Sequence, residues 1–246
     1  MTLPKKLTIK NRDYDLPIFC PDATRAVVRS LDSKDIEKAM VRGVIINTWH
    51  LHELPGEEKM AALGGIKKFM NFDGLTISDS GGFQVFSLFQ QQPDFGKITD
   101  EGLVTYTGKN KQKKLIFTPE NSIQMQFAIG SDIMIVLDDF TPIDANEERA
   151  DKSIERTIDW ARRCKVEFEK QCEMRDLDEQ NRPHLYGVIQ GHRDPARRKS
   201  CADQLLEIGF DGYGCGGWLF NDEGKLDLEI AALNASLTPD EFPRYA

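Results

Sequence analysis

Short apolar segments, most of them ending in a polar residue or in glycine, alternate with helical patterns along this chain. Six such segments can be read, beginning at residues 43, 75, 114, 132, 184 and 212: GVIINT, LTISD, KLIF, DIMIVLDD, HLYGVIQG and GYGCGG. Segments that are apolar throughout are typical of parallel strands covered by helices on both faces. The alternation therefore predicts an α/β fold on a parallel sheet, with about six strand–helix units by residue 246.

Helix signals lie between these segments. Ser33 is a candidate N-cap for the helix SKDIEKAMVR, and Thr118 with Pro119 opens another helix. A long helix is predicted from about Asn146 to Met174, and a further one over Pro195–Ile208. One stripe of the long helix is apolar at helical spacing and is predicted to face the core: Ile154, Ile158, Ala161, Cys164, Phe168 and Cys172.

The chain length suits a single domain over residues 1–246, since α/β barrels commonly have about 250 residues. The N-terminus shows no signal-peptide pattern and no run approaches ~18 apolar residues, so we expect no membrane segment. Five cysteines without a C-x-x-C pair predict reduced thiols in a cytoplasmic protein, with no local zinc knuckle. Because RYA at the end only begins to resemble another strand, an eight-stranded barrel would be incomplete here.

Polar residues or glycines follow most of the predicted strands, and the carboxyl ends of parallel strands meet at one rim. The set consists of Asn47, Asp79, Asp138, Gln190, Gly216 and Gly217. In a (β/α)-barrel that rim carries binding and catalysis, so the pattern favours an enzyme. The competing interpretation is structural: the aspartates could be N-caps or turn formers, and Phe83 could be a packing residue.

The same residues suit a purine-like base. Asp79 and Asp138 can accept from an N–H edge, and Gln190 can donate to a carbonyl. An aromatic such as Phe83 can stack on the ring, while the glycine pair lets backbone approach it. Enzymes that act on a base extrude it into such a pocket.

The net charge of −8 excludes a general nucleic-acid coat protein, which would be basic. A nucleic-acid partner would have to meet a local basic patch. Two candidates are GKNKQKK at residues 108–114 and HRDPARRK at residues 192–199. Each could equally be a solvated loop or a solvated helix start.

Several long, collinear stretches resemble the tRNA-guanine transglycosylase (queuine tRNA-ribosyltransferase) family. They begin at residues 47, 78, 117, 153, 186 and 212: NTWHLHELPG, SDSGGFQVFSL, FTPENSIQMQFAIGSDIMIVLDDFTP, SIERTIDWARR, YGVIQG and GYGCGG. The resemblance implies an irregular TIM barrel, (β/α)8, of which about six units are present. It also implies exchange of guanine at the wobble position of tRNA for a 7-deazaguanine, in queuosine biosynthesis.

By position, the resemblance makes Asp79 the general acid/base beside the scissile bond and Phe83 the aromatic that stacks on the base. Asp138 would accept from the N–H edge of guanine, and Gln190 with the Gly216 and Gly217 backbone would donate to its carbonyl. A further acid, Asp139, would support the site. The family reaction forms a covalent ribosyl-enzyme, and proton transfer near neutral pH requires a raised aspartate pKa, hence a dry pocket.

The sequence departs from the family pattern in three places. The family's nucleophilic aspartate, in an FD…PTR segment, and its zinc site of three cysteines and a histidine do not occur in these 246 residues. We therefore expect either a fragment or a chain whose barrel a partner completes, as a homodimer or heteromer, with structural Zn²⁺ only where that missing part exists. Phe140, Trp218, Leu219 and Phe220 stand at positions where the family has smaller residues, so they either narrow the pocket or pack outward.

Two other functions are open on this sequence. A noncatalytic or partner-completed subunit would bind tRNA or base without turnover alone; the missing nucleophile favours it, and retention of Asp79, Asp138 and Gln190 opposes it. A metal-dependent TIM-barrel hydrolase would use an H-x-H pair such as His50 and His52. It would also need later histidines and an acid at strand ends, which the sequence does not offer.

Overall fold

Six parallel strands form one curled sheet, in the order β11-β10-β9-β8-β4-β3. This computed structural model describes residues 4–107, 113–142, 144–217, 220 and 223–246. The strands are β3 (Gly43–Asn47), β4 (Leu75–Asp79), β8 (Ile133–Ile135), β9 (His184–Ile189), β10 (Gly212–Cys215) and β11 (Arg244–Tyr245). Helices separate them along the chain, so the predicted α/β fold with an incomplete TIM-like barrel is confirmed.

The segment KLIF is not a strand of this sheet, and that prediction was wrong. It lies in β7 (Lys113–Phe117), which pairs antiparallel with β6 (Gly102–Thr107), itself antiparallel to β5 (Gly96–Thr99). Only five residues connect β6 and β7, whereas a parallel crossover needs about a dozen. The sixth parallel strand is instead β11, which pairs with β10.

Nine helices lie in the described ranges, most of them between the parallel strands. They are α1 (Ser33–Lys38), α2 (Thr48–Glu53), α3 (Glu57–Ala62), α4 (Gly65–Met70), α5 (Gly82–Gln91), α6 (Pro119–Ile129), α7 (Glu147–Met174), α8 (Pro195–Ile208) and α9 (Leu228–Ser236). Asn146 caps α7 and Thr118 caps α6, so both helices begin where the sequence predicted. Helix α1 is capped by Asp32 rather than Ser33, because the Asp32 carboxylate accepts from the Asp35 N–H.

The apolar stripe of α7 is buried in the main core, which confirms the helical periodicity. A hairpin of β1 (Lys6–Ile9) and β2 (Arg12–Asp15) adds Leu7, Ile9 and Tyr14 to the same core. Its tip residue Lys10 reaches Asp132, immediately before β8. The hairpin is thereby tied to the amino ends of the parallel strands.

No helix in the described part of the chain is long and apolar enough to cross a membrane. All five cysteines lie in the described part, and none of them forms a disulfide.

Candidate functional site

A cavity of about 230 Å³ opens at the carboxyl ends of the parallel strands. Asp79 and Asp138 lie on its wall together with Phe83, Gly216 and Gly217. Its apolar wall consists of Ile135, Phe140, Val188, Phe220 and Tyr245. Five residues predicted from separate stretches of the chain therefore meet around one space.

Two glycines place Asp79 at this cavity. Gly81 is the N-cap residue of α5 with φ +91°, and a Cβ there would come within 2.8 Å of the Trp49 Cβ. A Cβ on Gly82 would lie 2.9 Å from the Asp138 carbonyl oxygen. Glycine is therefore required at both positions for the turn after β4 to pass between its neighbours. Asp79 itself ends β4 and does not cap α5, so its side chain is free of the structural role considered above.

The Asp79 carboxylate is half-buried and has one side-chain hydrogen-bond donor in the described chain. Gln84 Nε2 donates to Asp79 Oδ2 at 3.1 Å. Burial raises the pKa of Asp79, and this hydrogen bond only partly opposes the rise. A carboxyl group with a raised pKa at a cavity wall can take up and release a proton closer to neutral pH than a free aspartate.

Asp138 accepts a hydrogen bond from Gln190 Nε2 at 2.6 Å and lies 3.5 Å from Ser80 Oγ. It forms no salt bridge with any described residue. Burial raises the pKa of Asp138 to about 7, and the neighbouring carboxylates of Asp79 and Asp139 contribute to the rise. The Gln190 amide lowers it, so the net shift reflects a carboxylate without a compensating cation.

Asp139, the next residue, is in a different electrostatic environment. Its fully buried carboxylate accepts from Arg149 at 3.0 Å and also from Arg156, and both arginines lie on α7. These contacts hold the segment after β8 against α7. Asp139 therefore holds the end of the β8 segment in place and does not line the cavity.

The predicted carbonyl donors are not equivalent. Gln190 is fully buried behind the residues that line the cavity, and its amide nitrogen donates one of its two hydrogens to Asp138. The Gly216 N–H already donates to the Ile189 carbonyl at 2.9 Å, so Gly216 is not an available donor. The Gly217 N–H has no hydrogen-bond partner among the described residues.

Gly216 matters because it lacks a side chain. A Cβ there would lie 2.6 Å from Gln190 Nε2 and 2.6 Å from Val188 Cγ1. Gly217 has φ +82°, a conformation that favours glycine. Gly216 therefore leaves room for the Gln190 amide behind the cavity wall, and Gly217 presents one backbone donor at the cavity.

Phe83 is 43% exposed, so it is not a core packing residue. Its ring meets Phe140 at a centroid distance of 5.1 Å in an edge contact, and Phe86 packs on Phe140 at 4.8 Å. Phe140 is buried and lines the cavity, so it narrows the pocket and does not pack outward. Phe220 also lines the cavity, while Trp218 and Leu219 lie outside the described residues.

Two cavity features were missed in the sequence. Tyr245 of β11 lines the cavity, and burial together with Asp79 and Asp138 raises its pKa. The only sequence signal was RYA at residues 244–246, which just begins to resemble a strand. Gln84, which donates to Asp79, lies in the first turn of α5, and its residue type alone does not distinguish it from a solvated glutamine.

Asn47 does not line the cavity, although it ends β3. Its side chain accepts from the His50 N–H and caps α2, which is a structural role. His50 and His52 lie on α2, where His52 packs on Phe117 at 4.9 Å. No group of three or more His, Cys, Asp or Glu side chains in the described ranges could hold a metal ion. The histidines therefore give no support to the metal-dependent hydrolase.

Only the second of the two basic stretches lies wholly in the described part of the chain. Residues 108–112 of the first lie outside the described part of the chain. In the second, Arg197 pairs with Asp151 and Lys199 with Asp203. Arg198 is fully buried, so this stretch is not an exposed cluster of free cations.

The fold and the cavity define an incomplete (β/α)-barrel with a cavity at the carboxyl-end rim of its parallel strands. The chain belongs to the queuine tRNA-ribosyltransferase family, whose model matches residues 5–246. This confirms the resemblance seen in the sequence.

Relatives named queuine tRNA-ribosyltransferase are similar along nearly the whole chain. That of Solidesulfovibrio magneticus is 37% identical over 98% of this chain and 61% of its own length. That of Thermotoga neapolitana is 39% identical over 93% of this chain and 58% of its own. That of Halothermothrix orenii is 35% identical over 98% and 60%. The chain thus spans about three fifths of the length of these relatives.

Proposed function

We propose that the rim cavity binds guanine or a 7-deazaguanine and that the chain supplies the base-exchange site of a cytoplasmic tRNA-guanine transglycosylase. The observation that carries this proposal is the convergence of Asp79, Asp138 and Gly217 on one cavity with apolar walls, with Gln190 behind Asp138 as its hydrogen-bond donor. Membership of the queuine tRNA-ribosyltransferase family supports the same function.

The donor and acceptor pattern of the cavity matches one edge of guanine. The Asp138 carboxylate accepts from the N–H groups of that edge, and the free hydrogen of the Gln190 amide donates to its carbonyl oxygen. The Gly217 N–H supplies a second donor to the same oxygen. Phe83 at the mouth stacks on the ring face. Adenine lacks both the ring N–H and the carbonyl, so this cavity should reject it.

In the proposed exchange, Asp79 moves the proton. It donates a proton to guanine as the bond from guanine to the ribose carbon breaks, and it then accepts the proton of the incoming base. Its raised pKa suits both steps near neutral pH. The nucleophilic aspartate that holds the ribose in this family belongs to the FD…PTR segment, which these 246 residues do not contain. The described residues thus supply recognition and proton transfer.

A partner-completed subunit is the second candidate. Strand β11 lies at the edge of the parallel sheet and pairs only with β10 among the described strands. In this candidate a further chain, in a homodimer or heteromer, would complete the site, and turnover would require it. The zinc site of the family has no counterpart in the described residues, because their five cysteines do not form a group that could hold a metal ion.

Guanine binding by calorimetry and incorporation of radiolabelled guanine into tRNA test the proposal together. We expect guanine to bind and adenine not to bind, whether or not the chain turns over alone. Incorporation that appears only on adding a partner protein would assign the second candidate. Failure to discriminate guanine from adenine would refute the base-binding function itself.

A further inference from the structure

Arg198 on α8 is a fully buried arginine that lies behind the cavity wall. It forms no salt bridge with a described residue. Its guanidinium donates instead to neutral acceptors: the carbonyls of His192 at 2.7 Å, Gly216 at 3.0 Å and Ile189 at 3.3 Å, and Asn234 Oδ1 at 3.0 Å. Burying a cation without a counter-ion costs free energy, which suggests that Arg198 has a role beyond packing.

Two of these acceptors immediately precede the groups that face the base in the proposed function. The Ile189 carbonyl belongs to the peptide bond that leads into Gln190, and the Gly216 carbonyl to the one that leads into Gly217. In a trans peptide the C=O and the following N–H point to opposite sides. A guanidinium that holds the Gly216 carbonyl behind the wall therefore directs the Gly217 N–H toward the cavity.

The charge of Arg198 also changes the strength of that donor. A hydrogen bond from a cation polarises the peptide group, and chains of hydrogen bonds strengthen one another in a low dielectric. When the bond to ribose breaks, negative charge spreads over the departing guanine, including its carbonyl oxygen. Donors oriented in advance toward developing charge are an effective form of transition-state stabilisation.

We propose that Arg198 is a positioning residue that orients and polarises the Gly217 N–H and fixes the Gln190 backbone for recognition of the base carbonyl. The inference rests on the proposed function, and it deepens the account of the same site. If Arg198 only supported the packing of α8 and α9, its loss would affect ligands with an oxygen and with a sulfur at this position equally.

The test compares guanine with 6-thioguanine, which replaces the carbonyl oxygen by a weakly accepting sulfur. We expect Arg198→Gln to weaken guanine binding roughly tenfold and 6-thioguanine binding much less, so that the preference between them falls. Arg198→Lys keeps the charge but cannot bridge both carbonyls, and it should give an intermediate preference. Arg197→Gln, one residue away on the same helix and paired with Asp151, is the matched control and should behave as wild type.

Calorimetry on the full chain measures both affinities, and thermal melting shows that each variant is folded. If Arg198→Gln does not fold, Asn234→Ala carries the test, since it leaves the charge in place and removes one acceptor that orients it. In Asn234→Ala we expect the preference for guanine over 6-thioguanine to fall by roughly threefold. An equal loss for both bases, or an unchanged preference in a folded variant, overturns the proposal. A wild-type chain that binds neither base refutes the proposed function instead.

Discussion

Two aspartates flank the same apolar run, Asp132 before β8 and Asp138 after it, and they have opposite surroundings. Asp132 is buried between Lys67 at 2.7 Å and Lys10 at 3.3 Å, and it accepts from the Thr76 N–H at 3.0 Å. Asp138 has an amide and a distant hydroxyl as partners, and no cation among the described residues.

This difference separates a structural carboxylate from one that is available to a ligand. The partners of Asp132 lie on the β1–β2 hairpin, α4 and β4, so its charge holds three elements together. The charge of Asp138 is left to be compensated by something that enters the cavity. We therefore expect substitutions at the amino ends of the strands to change stability and those at the carboxyl ends to change binding or rate.

The largest expected effect is on the exchange rate in Asp79→Asn. Asparagine keeps the shape of the side chain and its contact with Gln84 but cannot transfer a proton, so exchange should fall by roughly 10²–10⁴-fold. Guanine affinity should change little. Incorporation of radiolabelled guanine into tRNA, with a completing partner if one is needed, measures the rate. An unaltered rate would remove Asp79 from the mechanism.

The next effect is on stability in Asp132→Asn. The substitution leaves two lysines near a buried site without their counter-charge, and it should lower the free energy of unfolding by about 3 kcal/mol. Urea denaturation measures this, and guanine titration of the folded variant should match wild type. Lost guanine affinity at unchanged stability would show that the amino ends belong to the site after all.

Asp138→Asn should have the opposite effect to Asp132→Asn: it should weaken guanine binding and leave the stability intact. It removes an acceptor for the N–H edge of guanine, so the binding free energy should weaken by about 2 kcal/mol. The free energy of unfolding above pH 7 should not fall, because an uncompensated buried charge is lost. Calorimetry and urea denaturation on the same sample test both statements. A destabilised variant with intact binding would assign Asp138 to the same structural class as Asp132.

The pH dependence of the wild-type chain follows from the raised pKa of Asp138. Below about 7 the carboxyl group is protonated and accepts poorly, so guanine affinity should rise with pH by up to about tenfold per unit until it levels off above 7. The free energy of unfolding should change in the opposite direction, because the folded state retains a proton on Asp138 that the unfolded state has already released. The contribution of Asp138 to the free energy of unfolding is therefore lost as the pH rises from 3.8 to about 7. Asp138→Asn should remove the affinity slope; a slope that persists would place the titrating group elsewhere.

The smallest effect is expected for Phe83→Ala, which should weaken base binding by about 1 kcal/mol through lost stacking. Stability should be nearly unchanged, since the ring is 43% exposed. Phe69→Ala, on the helix that carries Lys67, removes a ring of similar exposure that does not line the cavity, and it serves as the control. Equal effects of the two substitutions on guanine affinity would make Phe83 an ordinary surface aromatic.

The site residues at strand ends could be predicted because one rule of parallel sheets places them together. A parallel sheet brings every carboxyl end to one rim, so Asp79, Asp138 and Gly217 could be grouped without coordinates. The same reasoning failed for KLIF, where connection length rather than apolar character decides the pairing. It also grouped Asn47 with the site, because a helix cap and a ligand-binding amide look alike at the end of a strand.

The sequence by itself determined the α/β class, five of the six parallel strands, the rim on which polar residues gather, and the family of the chain. Only the tertiary structure decided which of those residues are already engaged. In the structure the Gly216 N–H donates to the Ile189 carbonyl, and two lysines form ion pairs with Asp132. Arg198 donates to the Gly216 carbonyl, in the peptide bond that precedes Gly217. The physical reason is that periodicity depends on neighbours along the chain, whereas the charge and hydrogen-bond balance of a buried group depends on partners far away in sequence.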